Sequence, residues 1–226
     1  MSQPTTRHLA VRKTARLVEL GSGVARPEEC WIVVHGYRQL APRFIRRFAS
    51  LDDGRRRIVA PEGLHRFYID EDGGAHGPEH RVGASWMTRE DRAADIADYV
   101  AYLDEVAALL DREVGPEAPR IVLGFSQGVH TVARWIVSGA APAPHTTVLW
   151  GAPLPGDLEE AKASRRLGGT RLVRVHGAAD PHDSAAARAR DAERLAAWGL
   201  GAQVLEHPGG HRIDPDLLGG LSTLSR

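Results

Sequence analysis

Four short apolar runs, separated by longer stretches with helical periodicity, constrain the fold of this chain more than any other feature. Each run is almost continuously aliphatic or aromatic, as expected for strands that are covered on both faces. The runs occupy residues 31–34, 58–60, 121–123 and 148–150. Alternation of such strands with helices is typical of a parallel sheet wrapped by crossover helices. The sequence therefore predicts an α/β fold.

The full set of expected elements extends this pattern along the chain. Seven strands are expected, at residues 14–19, 31–35, 57–60, 120–125, 147–150, 171–176 and 203–206. The clearest helix should begin near Thr88, with Asp91 three residues later in a variant of the capping box, and end at Gly115-Pro116. Further helices are expected over residues 126–139, over residues 184–198, and from Asp214 as N-cap with Pro215 at the first position.

The spacing between elements limits the architecture. About twenty residues separate the strand ending at Trp150 from the one starting at Arg171, which is room for one helix but not for a cap domain. The polar, glycine-rich stretch 70–80 should be a surface loop. We therefore expect one domain, residues 1–226, with a mostly parallel central sheet of about seven strands, helices on both faces and no large cap domain.

Charge and hydropathy exclude several classes of protein. The 226 residues include 29 Lys and Arg against 29 Asp and Glu, so the formal net charge is zero. The chain therefore lacks the positive charge that would attract a nucleic acid. No stretch approaches the roughly 18 apolar residues of a membrane span, and residues 1–12 lack an apolar signal region. The single cysteine, Cys30, cannot form an internal disulfide. We expect a cytoplasmic protein without stable membrane insertion, either monomer or homodimer.

The segment Gly124-Phe125-Ser126-Gln127-Gly128 fits the pattern G-x-S-x-G. It follows a buried apolar run and precedes a helical pattern, which is the context of a nucleophile elbow. A turn this tight needs glycine on both sides, and it pushes the serine hydroxyl out above the sheet. Ser126 is therefore the candidate nucleophile, against the alternative that it is an ordinary turn residue.

A serine hydroxyl needs a base to remove its proton and a carboxylate to orient that base. In the elbow fold these follow the serine in the order Asp, His. Asp180 follows the expected strand 171–176, and His211 follows the expected strand 203–206. Because the carboxyl ends of parallel strands share one edge of the sheet, we expect these side chains to meet near Ser126.

Each assignment has an alternative in the sequence. Asp183 is a second candidate acid, although its position suits a cap for the following helix, and Asp180 is also suited to a turn before Pro181. His207 is a second candidate base, but it abuts a proline, whereas His211 follows two glycines that let the backbone turn toward the serine.

Acyl transfer also needs N–H donors for the negative charge on the carbonyl oxygen. One donor should be the backbone N–H of Gln127, directly after the serine. The other should come from His35-Gly36-Tyr37, after the strand 31–35, and the N–H of Tyr37 is the candidate. We expect the side chain of His35 to brace this loop without a catalytic role.

Together these motifs resemble the α/β-hydrolase superfamily and, within it, the phospholipase/carboxylesterase family that includes acyl-protein thioesterases. The similarity extends from about residue 31 to residue 211, and the G-F-S-Q-G elbow is its most specific part. The other matching segments are His35-Gly36, residues 60–63 (Ala-Pro-Glu-Gly), Ser85-Trp86, residues 176–181 (His-Gly-Ala-Ala-Asp-Pro) and Gly210-His211.

The resemblance implies a carboxylic-ester or thioester hydrolase acting on a small-molecule ester without a metal or organic cofactor. It implies that Ser126 is the nucleophile, His211 the general base and Asp180 the orienting acid. A serine peptidase on the same machinery and a noncatalytic ligand-binding module on a hydrolase scaffold are the alternatives. An intact set of three residues favours an enzyme over the binding module.

The sequence departs from the family pattern at two positions. Arg38 and Val129 stand where the family usually has glycine. Arg38 places a charge beside the oxyanion loop, so it either binds an anionic group of the substrate or pairs with a carboxylate on the surface.

Two weaker features complete the candidate residues. Trp86 is a candidate for substrate binding. Together with Tyr37, Tyr68 and Met87, it either lines the acyl pocket or belongs to the core. His76 and His80 are four residues apart, but the glycine and proline between them argue against a helix that would align them on a metal. We therefore expect no metal site.

Overall fold

A computed structural model describes residues 3–70 and 77–223. Nine strands, six α-helices and one 3₁₀ helix lie within these residues. In chain order they are β1 (Leu17–Leu20), β2 (Glu29–Val34), α1 (Ala41–Phe44), the 3₁₀ helix (Ile45–Leu51), β3 (Arg56–Pro61), β4 (His65–Tyr68), β5 (Val82–Ser85), α2 (Arg92–Val114), β6 (Arg120–Phe125), α3 (Gln127–Ser138), β7 (Thr146–Trp150), α4 (Glu160–Leu167), β8 (Arg171–Gly177), α5 (Ala185–Ala197), β9 (Gln203–His207) and α6 (Pro215–Thr223).

Seven of these strands form one sheet in the order β1-β3-β2-β6-β7-β8-β9. β1 runs antiparallel to β3, and the other neighbours in this sheet are parallel. The predicted mostly parallel seven-stranded sheet is confirmed. From β2 the chain continues outward to β3 and then returns to β6 on the other side, so the strand order switches between β2 and β6. Ligands of open α/β sheets bind at the carboxyl ends of the strands beside such a switch.

The central strands alternate their side chains between two apolar layers. On one face, Ile32 and Val122 pack into a cluster with residues of α2 and α3. On the other face, Trp31 and Ile121 pack with the 3₁₀ helix and α6. Every residue of β2 and β6 is buried, as the continuous apolar runs predict. These two strands therefore hold the loops at their carboxyl ends on a rigid support.

The start of α2 differs from the expectation. The helix begins at Arg92, and Asp91 adopts a left-handed conformation (φ 48°) without capping it. The hydroxyl of Thr88 instead accepts from the N–H of Glu90, and the Asp91 carboxylate bonds to Nε2 of His8 at 2.8 Å. The predicted capping box is wrong, since the helix begins only after Asp91 and the N–H of Thr88 donates instead to Oδ2 of Asp95 at 3.0 Å. The helix ends at Gly115 as expected.

The helices expected after β8 and β9 are present, and the cap predicted at Asp214 is confirmed. Ser184 Oγ accepts from the N–H of Ala187 at the start of α5. The Asp214 carboxylate accepts from the N–H groups of Asp216 and Leu217 at the start of α6. The single helix expected between β7 and β8 is α4.

β4 and β5 were not predicted. They pair with each other as a separate antiparallel ribbon, and an isolated bridge between Gln39 and Ala84 ties the ribbon to the loop after β2. This ribbon supports the loop that carries Gly36 and Tyr37. The loop predicted at 70–80 lies partly outside the described residues, and residues 77–80 form a turn closed by the His80 N–H bonded to the Gly77 carbonyl.

Candidate active site

Ser126 lies at the junction of β6 and α3 with φ 55° and ψ −119°, a conformation that L-residues rarely adopt. The chain turns so tightly that its two flanking glycines have no room for a side chain. A Cβ on Gly124 would lie 2.4 Å from the carbonyl oxygen of Gly128, and a Cβ on Gly128 would lie 2.2 Å from that of Val34. The elbow predicted from the sequence is present in the backbone.

His211 and Asp180 meet at the carboxyl end of the sheet. Nδ1 of His211 donates to Oδ2 of Asp180 over 2.7 Å. The other carboxylate oxygen of Asp180 accepts from the N–H of His182 at 2.8 Å, so this aspartate forms the turn suggested by its sequence and also binds the imidazole. Its side chain is 1% exposed. The imidazole packs on Phe125, with ring centroids 4.8 Å apart.

Gly151, directly after β7, lies against the side chains of Asp180 and His211. It has φ +72°, and its N–H donates to the carbonyl of Val175 at 3.0 Å. A Cβ there would lie 3.4 Å from Oδ2 of Asp180 and from the His211 ring. The left-handed backbone at this position therefore places the chain directly against the two side chains and limits their movement.

Ser126 and His211 open into one cleft of about 740 Å³. The residues that line it come from the loop after β2, the elbow, the end of β7 and the loop after β8. They are Tyr37, Arg38, Ser126, Gln127, His130, Gly151, Ala152, Pro153, His182 and His211. The cleft thus contains the two candidate groups that would exchange a proton.

The candidate oxyanion donors lie on either side of the serine. The backbone of Gly36 approaches Ser126 so closely that a Cβ would lie 3.0 Å from the serine Cβ. Tyr37, the next residue, and Gln127, the first residue of α3, both line the cleft. Within residues 3–70 and 77–223, the N–H groups of Tyr37 and Gln127 donate to no protein acceptor. Both donors are available to a carbonyl oxygen in the cleft.

His35 holds this loop in place, as expected. Nε2 of His35 accepts from the N–H of Gly63 at 2.9 Å, so the proton sits on Nδ1, which donates to the carbonyl of Gly36 at 2.7 Å. Burial lowers the pKa of His35 to about 4, so the ring is neutral near pH 7. A neutral ring suits a structural brace that both donates and accepts.

Trp86 belongs to the core and not to the cleft. Its side chain is fully buried, and its Nε1 donates to the carbonyl of His35 at 2.9 Å. Its backbone N–H donates to Oε1 of Gln127, whose Nε2 donates to the Met87 carbonyl at 3.0 Å. The structure therefore replaces the expected substrate contact of Trp86 with a packing role, because the indole fills the space beneath the oxyanion loop.

The other expected aromatic and sulfur side chains divide between surface and core. Tyr37 is 52% exposed, lines the cleft and stacks on Phe67 with centroids 5.4 Å apart. Tyr68 is exposed on β4 outside the cleft lining. Met87 packs against the core cluster of α2 and α3. Of this expected set, Tyr37 alone contributes to the cleft lining.

The alternative acid, Asp183, is bound elsewhere. Its side chain is fully buried and bonds to Nδ1 of His176 at 2.5 Å. The expectation that Asp183 caps α5 is wrong, since Ser184 occupies the N-cap. Asp183 instead stabilises a histidine on β8.

The alternative base, His207, is also engaged away from the serine. It is buried against Trp150, and its Nδ1 accepts from the N–H of Gly209 at 3.2 Å. It is absent from the described lining of the cleft, whereas His211 is part of it. The geometry therefore favours Asp180 and His211 over their rivals.

Several solved structures are similar in fold to this chain over most of its length. No protein-family model matches the chain. Esterase PE8 superposes with a TM-score of 0.65 at 19% identity, over 95% of this chain and 98% of that one. The acyl-protein thioesterase 2 of Zea mays superposes with a TM-score of 0.65 at 16% identity, over 95% and 100%. The carboxylesterase of Bacillus cereus gives 0.64 at 14% identity, over 93% of each chain. The chain has the α/β-hydrolase fold.

A comparison by sequence adds one distant relative. Phospholipase A1-II 2 from Oryza sativa subsp. indica is 28% identical over 144 residues, which is 55% of this chain. The chain matches about a third of that protein's length, 34%. The described residues of the present chain form no large cap over the cleft.

Arg38 lies at the rim of the cleft with an exposed side chain. Its backbone is left-handed (φ 66°) and its N–H donates to the carbonyl of Ala84 at 2.9 Å. The expected surface ion pair is not found, since Arg38 contacts no carboxylate in the part of the chain that the structure describes. Among the described residues, no carboxylate neutralises this charge at the cleft.

Two histidines of the cleft were missed by sequence reasoning. The ring of His182 meets that of His211 edge to face, with centroids 4.8 Å apart. His130 lies one turn of α3 after Ser126, and burial lowers its pKa. The sequence held a signal for each, namely the Asp-Pro-His turn after Asp180 and the spacing of four from Ser126 on a helix.

Neither a metal centre nor a membrane helix is found in the described ranges. Among these residues no group of three or more His, Cys, Asp and Glu side chains could hold a metal ion. The expectation about His76 and His80 is not tested, because His76 lies outside the described residues. Within the same ranges no helix has the length and apolar character to cross a bilayer.

Proposed function

We propose that the protein is a serine hydrolase that cleaves carboxylic esters through Ser126, His211 and Asp180. The observation that carries this proposal is the bond of 2.7 Å between His211 and Asp180 at the rim of the cleft into which Ser126 opens. A positive-φ serine at a strand-to-helix turn, next to an imidazole held by a buried carboxylate, matches the roles of nucleophile, base and orienting acid.

In the acylation step, Nε2 of His211 accepts the proton of Ser126 Oγ while Oγ bonds to the ester carbonyl carbon. The π electrons of the carbonyl move to its oxygen, which accepts hydrogen bonds from the N–H groups of Tyr37 and Gln127. The Asp180 carboxylate stabilises the imidazolium and keeps its Nδ1 proton in place, so Nε2 faces the serine.

Collapse of this intermediate completes the first half of the reaction. The bond between the carbonyl carbon and the alkoxy oxygen breaks, and Nε2 of His211 gives its proton to the departing alcohol. The acyl group remains on Ser126. Water then donates a proton to Nε2 of His211 as its oxygen attacks the acyl carbon. The bond between this carbon and Ser126 Oγ breaks, His211 gives the proton to Oγ, and the carboxylic acid leaves.

The shape of the cleft indicates the size of substrate. The described residues place no large cap over Ser126, and Tyr37 at the rim is half exposed. A soluble short-chain ester can reach such a site directly from water. We therefore propose a small-molecule ester as substrate, with hydrolysis that does not require a lipid surface.

The test is hydrolysis of p-nitrophenyl acetate and butyrate without detergent by the wild-type protein, Ser126→Ala and Ser138→Ala. Ser138 is an exposed serine at the end of the same helix, so its variant is the matched control. Ser126→Ala should lower kcat by at least about 10³-fold, as removal of a triad nucleophile does, and Ser138→Ala should match the wild type. Wild-type turnover by Ser126→Ala would refute the proposal.

The same assay separates substrate classes. An S-acyl thioester of equal chain length, assayed alongside each ester, shows whether the leaving group is an alcohol or a thiol. A rate that rises sharply only above the critical micelle concentration of a long-chain ester would contradict the open site.

A further inference from the structure

A second depression of about 150 Å³ adjoins the cleft on the side of the oxyanion loop. Three arginines line it, Arg38, Arg43 and Arg47, and Phe44 and Leu40 supply apolar surface between them. We call this depression the arginine groove. Arg38 lines both the groove and the cleft that contains Ser126, so the two spaces adjoin at this residue.

The three guanidinium groups have no acidic partner in the described ranges. Arg38, Arg43 and Arg47 form no ion pair there. Guanidinium groups stay protonated at any pH at which the protein is folded, so the groove is cationic throughout. Like charges lining one depression raise the local potential and attract anions.

The carboxylates around the groove are already used. Glu62, which accepts from the N–H of Ala41 at the start of α1, is bound by Arg16 through both carboxylate oxygens. Asp70, two residues after β4, is bound by Arg81, whose Nε and Nη2 donate to Oδ1 and whose backbone N–H donates to Oδ2. Neither acid is left to neutralise the groove.

The two arginines at the start of β3 are paired, in contrast to those of the groove. On β3, Arg56 pairs with Glu29 at 3.0 Å and Arg57 pairs with Glu19 at 2.8 Å. The chain as a whole has no net charge. The grouping of three arginines around one depression is therefore a local feature beside the cleft, and not a consequence of a basic composition.

The backbone of Arg38 adds a second observation. Its φ of 66° is strained for any residue with a Cβ, and the strain is held by the neighbouring ribbon. The Arg38 N–H donates to the Ala84 carbonyl, and Gly83 lies so close that a Cβ there would be 2.7 Å from the Arg38 carbonyl oxygen. Glycine would adopt this conformation without strain, whereas arginine places a guanidinium between the groove and the serine.

We propose that the arginine groove binds an anionic group of the ester substrate, a carboxylate or a phosphate, several atoms from the scissile carbonyl. This rests on the proposed ester hydrolysis at Ser126. Guanidinium forks bind the oxygens of either anion in pairs, and three of them match a group with more than one oxygen. With the carbonyl over Ser126, the anionic end passes Arg38 and lies between Arg43 and Arg47.

The test compares two esters that differ by one charge. The mono-p-nitrophenyl ester of glutaric acid carries a carboxylate, and its methyl ester is the neutral analogue. The wild-type protein should show a higher kcat/KM for the anionic ester, and this preference should shrink as NaCl is raised, because salt screens exposed charges. The Arg43→Ala/Arg47→Ala double variant should lower the anionic-to-neutral ratio of kcat/KM at least about tenfold.

Arg46→Ala is the matched control. Arg46 is exposed on the same 3₁₀ segment, but it does not line the groove. Its loss removes one positive charge and should leave the ratio as in the wild type. If the anionic-to-neutral ratio of kcat/KM fell equally in Arg46→Ala and in the double variant, the groove would not be the binding site. The preference would then be a general effect of positive charge.

Inorganic phosphate distinguishes the two anions. Competitive inhibition by phosphate of hydrolysis of the neutral ester, lost in the double variant, identifies phosphate as a ligand of the groove. Without phosphate inhibition, a preference for the carboxylate ester assigns the groove to carboxylates.

The proposal fails if the wild type hydrolyses both esters equally and phosphate does not inhibit. The proposed function fails separately, if Ser126→Ala retains the rate on the neutral ester.

Discussion

Oδ2 of Asp180 accepts from Nδ1 of His211 at 2.7 Å, while Oδ1 of the same carboxylate accepts from the N–H of His182. Both oxygens of this buried side chain are thus occupied, one by the imidazole and one by the turn that carries the aspartate. The turn fixes the carboxylate, and the carboxylate fixes the ring. This arrangement leaves Nε2 of His211 for the proton of Ser126 in the proposed reaction.

Asp180→Asn should lower kcat for ester hydrolysis by about 10⁴-fold, because an amide stabilises the wrong tautomer of His211 and no longer stabilises the imidazolium. The fold should be retained, since asparagine can still accept from the His182 N–H. Steady-state kinetics on p-nitrophenyl butyrate, with thermal unfolding measured in parallel, checks both statements.

Asp183→Asn is the matched control for that variant. Asp183 is buried and binds His176, so losing its charge should lower the free energy of unfolding by about 1–3 kcal/mol. The kcat of the folded protein should stay within a few-fold of the wild type. If Asp183→Asn abolished turnover and Asp180→Asn did not, the assignment of the acid would be wrong.

Gly36→Ala should reduce catalysis while leaving the fold in place. The new Cβ would lie 3.0 Å from the Cβ of Ser126 and 3.3 Å from Oε1 of Gln39, so the oxyanion loop must shift away from the serine. A shift of the donor by a few tenths of an ångström should lower the rate, by less than the roughly 10²-fold that a misplacement of about 1 Å costs. The measurement is kcat, with the melting temperature as the check on folding.

Gly23→Ala provides the comparison for that substitution. A Cβ on Gly23 meets nothing within 4 Å, and Gly23 lies in the loop after β1, away from the cleft. Its kcat should equal that of the wild type. Equal rates for Gly36→Ala and the wild type would show that the Gly36 loop does not supply the oxyanion donor.

The neutral His35 makes stability depend on pH. Its folded pKa of about 4 lies below the ordinary value of 6.5, so the unfolded state binds this proton more readily. The contribution of neutral His35 to the free energy of unfolding is complete above pH 6.5. It is lost as the pH falls toward 4, by about 3 kcal/mol in all. His130 and His207, whose pKa values are also lowered, act in the same direction.

His35→Gln should therefore flatten this part of the profile. Glutamine does not titrate, so its free energy of unfolding should decline less than that of the wild type between pH 6.5 and 4. Urea unfolding at several pH values measures both curves. Parallel curves for the two proteins would contradict a buried, neutral His35.

Much of the fold followed from local patterns. The apolar runs predicted the central strands because a strand covered on both faces is apolar at consecutive positions. The elbow and the order of Asp180 and His211 predicted that Ser126, Asp180 and His211 lie near one another, because parallel strands end at one edge of the sheet. These inferences need only the residues of each strand and the loop that follows it.

The parts that sequence reasoning missed depend on contacts between distant residues. Asp91 makes no side-chain cap on α2, and its carboxylate bonds instead to His8, 83 positions away. Asp183 is held by His176, seven positions earlier near the end of β8. The burial of Trp86 follows from its bond to the His35 carbonyl, 51 positions away. The β4–β5 ribbon is short, and its pairing is not encoded in either segment alone.

The central claim is that Ser126 is the activated nucleophile, and covalent labelling tests it most directly. A fluorophosphonate transfers its phosphoryl group to a serine oxygen that has lost its proton to a base, with fluoride as the leaving group. Intact mass should show one added group, and peptide mapping should place it on Ser126. Ser126→Ala and His211→Ala should remain unlabelled, and Ser138→Ala should react as the wild type does. Labelling of Ser126→Ala at the wild-type rate, or modification of another serine in the wild type, would contradict the account.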